Sequence, residues 1–169
     1  MVFRYLANLF QIYIQKLPMP SIVISDTSSL ILFDKIGEIE LIRDVYDRII
    51  TTHVIAEEFG ESLPHWIEIK AVNDKKYQLF LETQVDIGEA SAIALAKEIE
   101  NSLLLLDDLK ARKLAGKLHI KYTGTLGVIN KAKQLGLIDK VKPLIDKLLL
   151  TDFRISENII QELLRINNE

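Results

Sequence analysis

Short runs of aliphatic and β-branched residues, separated by helical patterns, constrain the fold of this chain more than any other feature of its sequence. Ile22-Val23-Ile24 and Ser102–Leu106 carry no internal charge and read as strands buried on both faces. Arg48-Ile49-Ile50-Thr51, the alternating run Trp66–Lys70 and the brief run His119–Tyr122 are further strand candidates. Helical patterns fill the gaps. Leu30–Ile36 closes near Gly37, Ile39–Tyr46 follows, and Thr52 is placed to cap a helix holding Val54, Ile55, Glu57 and Glu58. Glu89–Ala96 is rich in small residues suited to close packing on a sheet. A short helix runs to Gly116, another passes through Val128, Ile129 and Ala132, and two more lie near 138–150 and 157–165. Strands alternating with helices imply an α/β fold, a three-layer α/β/α sandwich around a mainly parallel central sheet.

In such sheets the crevice that does chemistry lies beyond the carboxyl ends of the strands, and acids fall there. Asp26 directly follows the first strand, and Asp107 and Asp108 follow the run 103–106. Glu89 stands in the first turn of the helix that feeds the latter strand, and Glu57 in the helix after the strand at 48–51. Each acid has an ordinary alternative role: Asp26 as a helix cap, Glu89 as a complement to a helix dipole, Glu57 as a solvated side chain. Together they would repel at neutral pH unless solvated, sharing a proton or bridged by a cation. Oxygen donors without histidine or cysteine suit Mg²⁺ or Mn²⁺ far better than zinc.

The net charge of -3 conceals a split. Between Lys110 and Lys147 stand ten Lys/Arg and two acids, a balance of +8 that leaves -11 on the rest of the chain. Lys110, Arg112, Lys113, Lys131 and Lys133 belong to this stretch, and such segregation can mark a phosphate-binding surface. Lys110 and Arg112 lie just past the acidic edge, where they could contact substrate or pair with Asp107 or Asp108. The chain has no cysteine, which excludes disulfides, thiolate ligands and a cysteine nucleophile and fits a cytoplasmic protein.

Five segments in order carry a resemblance: Ile22–Leu32 (IVISDTSSLIL), Val54-Ile55-Ala56-Glu57, Gly88–Ala96 (GEASAIALA), Leu103–Arg112 (LLLLDDLKAR) and Thr123–Lys133 (TGTLGVINKAK). Together they resemble a prokaryotic PIN domain, in the nucleic-acid-binding branch related to the toxins of VapBC toxin–antitoxin pairs, over roughly residues 21–150. The resemblance implies hydrolysis of RNA phosphodiesters at a site of acidic Mg²⁺ or Mn²⁺ ligands, in a cytoplasmic protein that an antitoxin could bind. It matches Asp26 to the first acid, Glu57 to the helix glutamate of a Val-x-x-Glu pattern, Glu89 to the third acid and Asp107 or Asp108 to the fourth. Of that pair, Asp107 is favoured because it ends the strand directly. Ser28 matches the hydroxyl that supports the first aspartate. Many of the toxins have aspartate where this chain has Glu89.

Other readings are weaker. An aspartyl-phosphate enzyme of the haloacid-dehalogenase type would need Asp-x-Asp after the first strand, and position 28 is serine. A PIN-like module that binds RNA or protein without cutting is the main rival. His53, His65 and His119 are scattered and read as structural or solvated, and Trp66 as a packing residue. Residues 1–20 are expected to be an extension, either an accessory amphipathic helix or sequence upstream of a start at Met19, ahead of a single domain over 21–169 that includes the C-terminal helices. Leu144, Ile145, Leu148, Leu149, Ile159, Ile160, Leu163 and Leu164 are expected partly to close the core. The remainder could form a homodimer or receive an antitoxin segment.

Overall fold

A computed structural model describes residues 22–169, so the expectations for residues 1–20 lie outside the described residues. Five strands form one sheet: β1 (Ile22–Ser25), β2 (Ile49–Thr52), β3 (Ile67–Lys70), β4 (Ser102–Leu105) and β5 (Tyr122–Thr123). They lie in the order β3-β2-β1-β4-β5, and every pairing is parallel. The sheet is flanked by α1 (Thr27–Lys35), α2 (Glu40–Tyr46), α3 (His53–Phe59), α4 (Lys75–Glu82), α5 (Ile87–Glu98), α6 (Leu109–Lys117), α7 (Thr125–Gln134), α8 (Lys142–Leu149) and α9 (Glu157–Ile166). This is the α/β architecture expected from the alternating pattern, with the sheet wholly rather than mainly parallel.

β1 lies at the centre of the sheet. All four of its residues are buried, and it pairs with β2 on one side and β4 on the other. Helix α5 crosses this centre. Ala90, Ala92, Ala94 and Ala96 are all buried and let its backbone lie close against β1, β2 and β4. Helix α3 packs against α1 and α5, an arrangement that positions part of the site described below.

One helix lies where the sequence shows no element, and one strand is displaced. The stretch before α5 gives no clear period, yet it contains α4. Only Gln78 and Leu81 of that helix are buried while Leu79 and Phe80 stand exposed, so its apolar residues do not trace its buried face. Asp74 starts the helix by accepting the Tyr77 N–H, and Glu98 accepts the N–H groups of Asn73 and Asp74. The strand expected over His119–Tyr122 is instead Tyr122–Thr123, because His119 takes a left-handed backbone (φ 58°) that closes α6.

Trp66 packs partly buried against the core, donates its indole N–H to Glu40 and carries Arg43 over its ring at 5.7 Å. The three histidines are exposed. Among the described residues no helix is long and apolar enough to cross a membrane.

Candidate active site

The Asp26 N–H continues the β1–β4 ladder by donating to Leu105 O at 3.1 Å, and there the chain turns into α1. The aspartate is the N-cap of that helix. Its Oδ1 accepts the Ser29 N–H at 2.9 Å and its Oδ2 accepts the Ser28 hydroxyl at 2.8 Å. Capping and a role at the edge are therefore not alternatives here. Only 1% of Asp26 is exposed, and burial raises its carboxyl to about 6 against the opposing pull of the Ser29 and Ser28 hydrogen bonds. The nearby charge of Asp107 pushes in the same direction as burial.

Glu89 reaches this edge from α5. It is the N3 residue of a capping box with Asp86, whose side chain accepts the Glu89 N–H at 2.8 Å. The return bond, from the Asp86 N–H to Glu89 Oε2, is long at 3.3 Å. Desolvation raises the Glu89 carboxyl to about 7, aided by the charges of Asp86, Asp108 and Asp26. Asp108 caps α6, its Oδ1 accepting the N–H groups of Lys110 at 2.7 Å and Ala111 at 2.8 Å. Glu89 thus feels the charges of Asp26 and Asp108, which come from distant parts of the chain.

Asp107 is held differently. Arg112 donates to its Oδ1 at 2.9 Å, Thr125 donates its N–H at 3.1 Å and its hydroxyl at 2.5 Å, and the Ser29 hydroxyl donates at 3.1 Å. The Arg112 guanidinium also donates to Leu106 O at 2.6 Å. Of the two roles open to Arg112, the structure displays the pairing with Asp107. Gly124 makes room for this ion pair. Its backbone is extended (φ -137°), which any residue adopts, but a Cβ there would collide with the Arg112 guanidinium and with Asp107. A Gly124→Ala variant is expected to melt about 3–8 °C lower in a thermal scan, because a pinned ion pair must move.

The two adjacent glutamates of α3 stand differently. Glu57 lines an open depression with His53, Glu61, Leu63 and Ile69, and it is the next residue, Glu58, that faces α1 and α5. Thr27 donates its hydroxyl to Glu58 Oε2 at 2.6 Å. That oxygen lies so near Gly88 that a Cβ at position 88 would sit 2.7 Å from it. Pattern matching to Val-x-x-Glu selects Glu57. Glu58 stands one helical step from buried Ile55 and, although exposed, it is the glutamate whose carboxylate meets Thr27.

Of the predicted cationic contacts, Lys110 and Lys113 are exposed on α6, Lys131 is half-buried, and Lys133 donates to the carbonyl of Asp139. The donor set suits a hard divalent cation: every contributing group is an oxygen, and Asp26 and Glu89 are raised by burial and by neighbouring anions, which a positive charge would relieve. Among the described residues, however, no three acidic or histidine side chains converge closely enough to share one ion.

A parallel α/β protein with carboxylates gathered at the carboxyl ends of its central strands belongs to a class that binds ligands or performs chemistry at that edge. The sequence profile of the PIN domain matches residues 22–169, and the chain belongs to the PIN-domain family. That family is one of nucleases, whose members commonly bind Mg²⁺ or Mn²⁺. No curated protein matches the chain, and no solved structure matches it.

Proposed function

We propose that this PIN domain is a metal-dependent endoribonuclease that hydrolyses RNA phosphodiester bonds at the edge built by Asp26, Glu89 and Asp108. The observation that carries this reading is Asp26, an almost fully buried carboxylate raised to about 6 and lying within the electrostatic reach of Glu89. Such a group is costly to ionise without a cation beside it. Asp26, Glu89 and Asp108 are the acids that would hold Mg²⁺ or Mn²⁺, and they would have to draw closer to share one ion, with Glu58 the acid that α3 turns toward α1. The bound ion would supply a more acidic water and neutralise charge developing on the phosphate. The chain's own part is to fix Asp26 through Ser28 and Ser29, to keep that carboxylate dry, and to offer Lys110 and Lys113 to flanking phosphates.

Calorimetric titration of Mn²⁺ into the wild type and an Asp26→Asn/Glu89→Gln double variant tests the site. Binding by the wild type alone is the expected result. At a free Mn²⁺ concentration near 100 Kd, linkage stabilises the fold by about 2.7 kcal/mol, read as a rise of roughly 5–10 °C in melting temperature. An unchanged melting temperature would refute the metal site.

The lack of a convergent trio of ligands among the described residues favours a second reading, a PIN-like module that binds RNA or protein without cutting it. RNA retarded in a gel but never cleaved with Mn²⁺ present would select it. A toxin role, with an antitoxin or a second copy covering exposed Leu149, Leu150 and Ile159, belongs to the first reading. A dimer is expected by light scattering after size exclusion if a second copy is the occupant.

A further inference from the structure

We propose that Asp107 is a positioning residue and not an ion ligand: it ties the ends of four elements together and, through Ser29, sets the carboxylate of Asp26. Both Asp107 oxygens are taken. Oδ1 accepts from Arg112 at 2.9 Å and from the Thr125 N–H at 3.1 Å, while Oδ2 accepts from the Thr125 hydroxyl at 2.5 Å and from the Ser29 hydroxyl at 3.1 Å. A carboxylate offers about four lone-pair sites, so four donors leave little to give a cation. An ion there would also have to stand beside the Arg112 guanidinium, whose charge repels it.

The donors show what is being tied. Helix α7 begins at Gly124 with no side-chain cap of its own, and Asp107 serves it from across the site by accepting the N–H of its first residue. Arg112 belongs to α6, Ser29 to α1, and Asp107 itself follows β4. Ser29 is the link to the site. Its hydroxyl donates to Asp107 while its own N–H donates to Asp26 Oδ1 at 2.9 Å. Movement of Asp107 therefore releases the first turn of α1, which holds Asp26 in place. The neighbouring Asp108 is exposed and has its Oδ2 outside both cap hydrogen bonds, so it is the acid of this pair with an oxygen that would be open to an ion.

The role of Asp107 toward Asp26 presupposes the nuclease site proposed above, whereas its role as a tether does not. The experiment measures two quantities on Asp107→Asn, Thr125→Val and Ser29→Ala, with Asp26→Asn as the reference: the melting temperature in chelator, and the Mn²⁺ dissociation constant well below that temperature. Asp107→Asn is expected to lower the melting temperature by about 5–10 °C and to weaken Mn²⁺ binding about 10-fold, the range for a group acting through a ligand. Thr125→Val should lower the melting temperature about half as far, and Ser29→Ala should weaken Mn²⁺ binding a few-fold.

A loss of Mn²⁺ affinity in Asp107→Asn as complete as in Asp26→Asn overturns the proposal, as does an unchanged melting temperature. Unchanged Mn²⁺ affinity in both Asp107→Asn and Ser29→Ala overturns the link to Asp26. If Asp107→Asn does not fold, Thr125→Val and Ser29→Ala, each removing a single hydroxyl donor, decide by the same two readouts. If the wild type binds no Mn²⁺, the nuclease reading fails, and the melting temperatures alone judge the tether.

Discussion

Replacing Asp26 by asparagine is expected to raise the melting temperature of the metal-free protein at pH 7.5 while lowering RNA cleavage at least 100-fold, the scale of removing a group that organises transition-state charge. The two effects share one cause. In the folded protein burial raises the Asp26 carboxyl to about 6 from an ordinary 3.8. A carboxyl so raised favours the folded state while it is protonated. Its contribution is complete below the unfolded value and is lost as pH rises through about 6. At pH 7.5 the ionised group then works against the fold by a ceiling of roughly 3 kcal/mol.

Asparagine cannot ionise, and it remains among the best N-cap residues, so its carbonyl can still accept the Ser29 N–H. Part of the gain is returned, because the Ser28 hydroxyl must turn to meet an amide. A net rise of about 3–6 °C remains. The wild type without metal should accordingly melt at progressively lower temperature from about pH 4 to pH 7, with most of the Asp26 share of the fall below pH 6, and Asp26→Asn should show a flatter profile over that window. Thermal scans in chelator across that range, paired with a fluorogenic RNA assay in Mn²⁺, check both halves. A variant that melts lower than the wild type at pH 7.5 would mean that the Ser28 and Ser29 hydrogen bonds outweigh desolvation. One that still cuts RNA at the wild-type rate would remove Asp26 from the chemistry.

Arg112→Ala is expected to be as destabilising as any single change at the site. The Arg112 and Asp107 side chains are 27% and 13% exposed, so their ion pair is largely shielded from water. Removing the guanidinium leaves Asp107 without its charged partner and Leu106 O without a donor. Breaking a fully buried pair in this way costs about 3–5 kcal/mol, and partial exposure reduces the figure here to about 2–3 kcal/mol. The melting temperature should fall by roughly 5–10 °C. Lys113→Ala on the same helix is the contrast, since that lysine is exposed. It should leave the melting temperature within about 1 °C and instead weaken RNA binding with a shallower salt dependence. Equal stability of Arg112→Ala and the wild type, with weakened RNA affinity, would return Arg112 to the role of a phosphate contact.

The positions of Asp26, Asp107 and Asp108 were legible because each depends on local order along the chain. A short apolar run ended by polar caps makes a buried strand, and in a parallel sheet the residue after the strand lies at the carboxyl edge whatever surrounds it. The same logic located Thr52 as the cap of α3, where its hydroxyl accepts the Ile55 N–H, and Glu89 in the first turn of α5.

Tertiary structure decided the rest, for physical reasons. Glu57 and Glu58 are adjacent on one helix and so point about 100° apart, and only the packing of α3 on α1 and α5 selects the second. Helix α4 is invisible to periodicity because its buried face holds Gln78 beside Leu81 while Phe80 stands in solvent. The choice between Asp107 and Asp108 rests on donors 18 and 78 residues away, Thr125 and Ser29, which reach Asp107 only once the sheet has formed. The sequence by itself determined that Asp26, Asp107 and Asp108 follow the central strands at the edge of the sheet. Which of them are free to meet a cation depends on hydrogen bonds between elements that share no local signal.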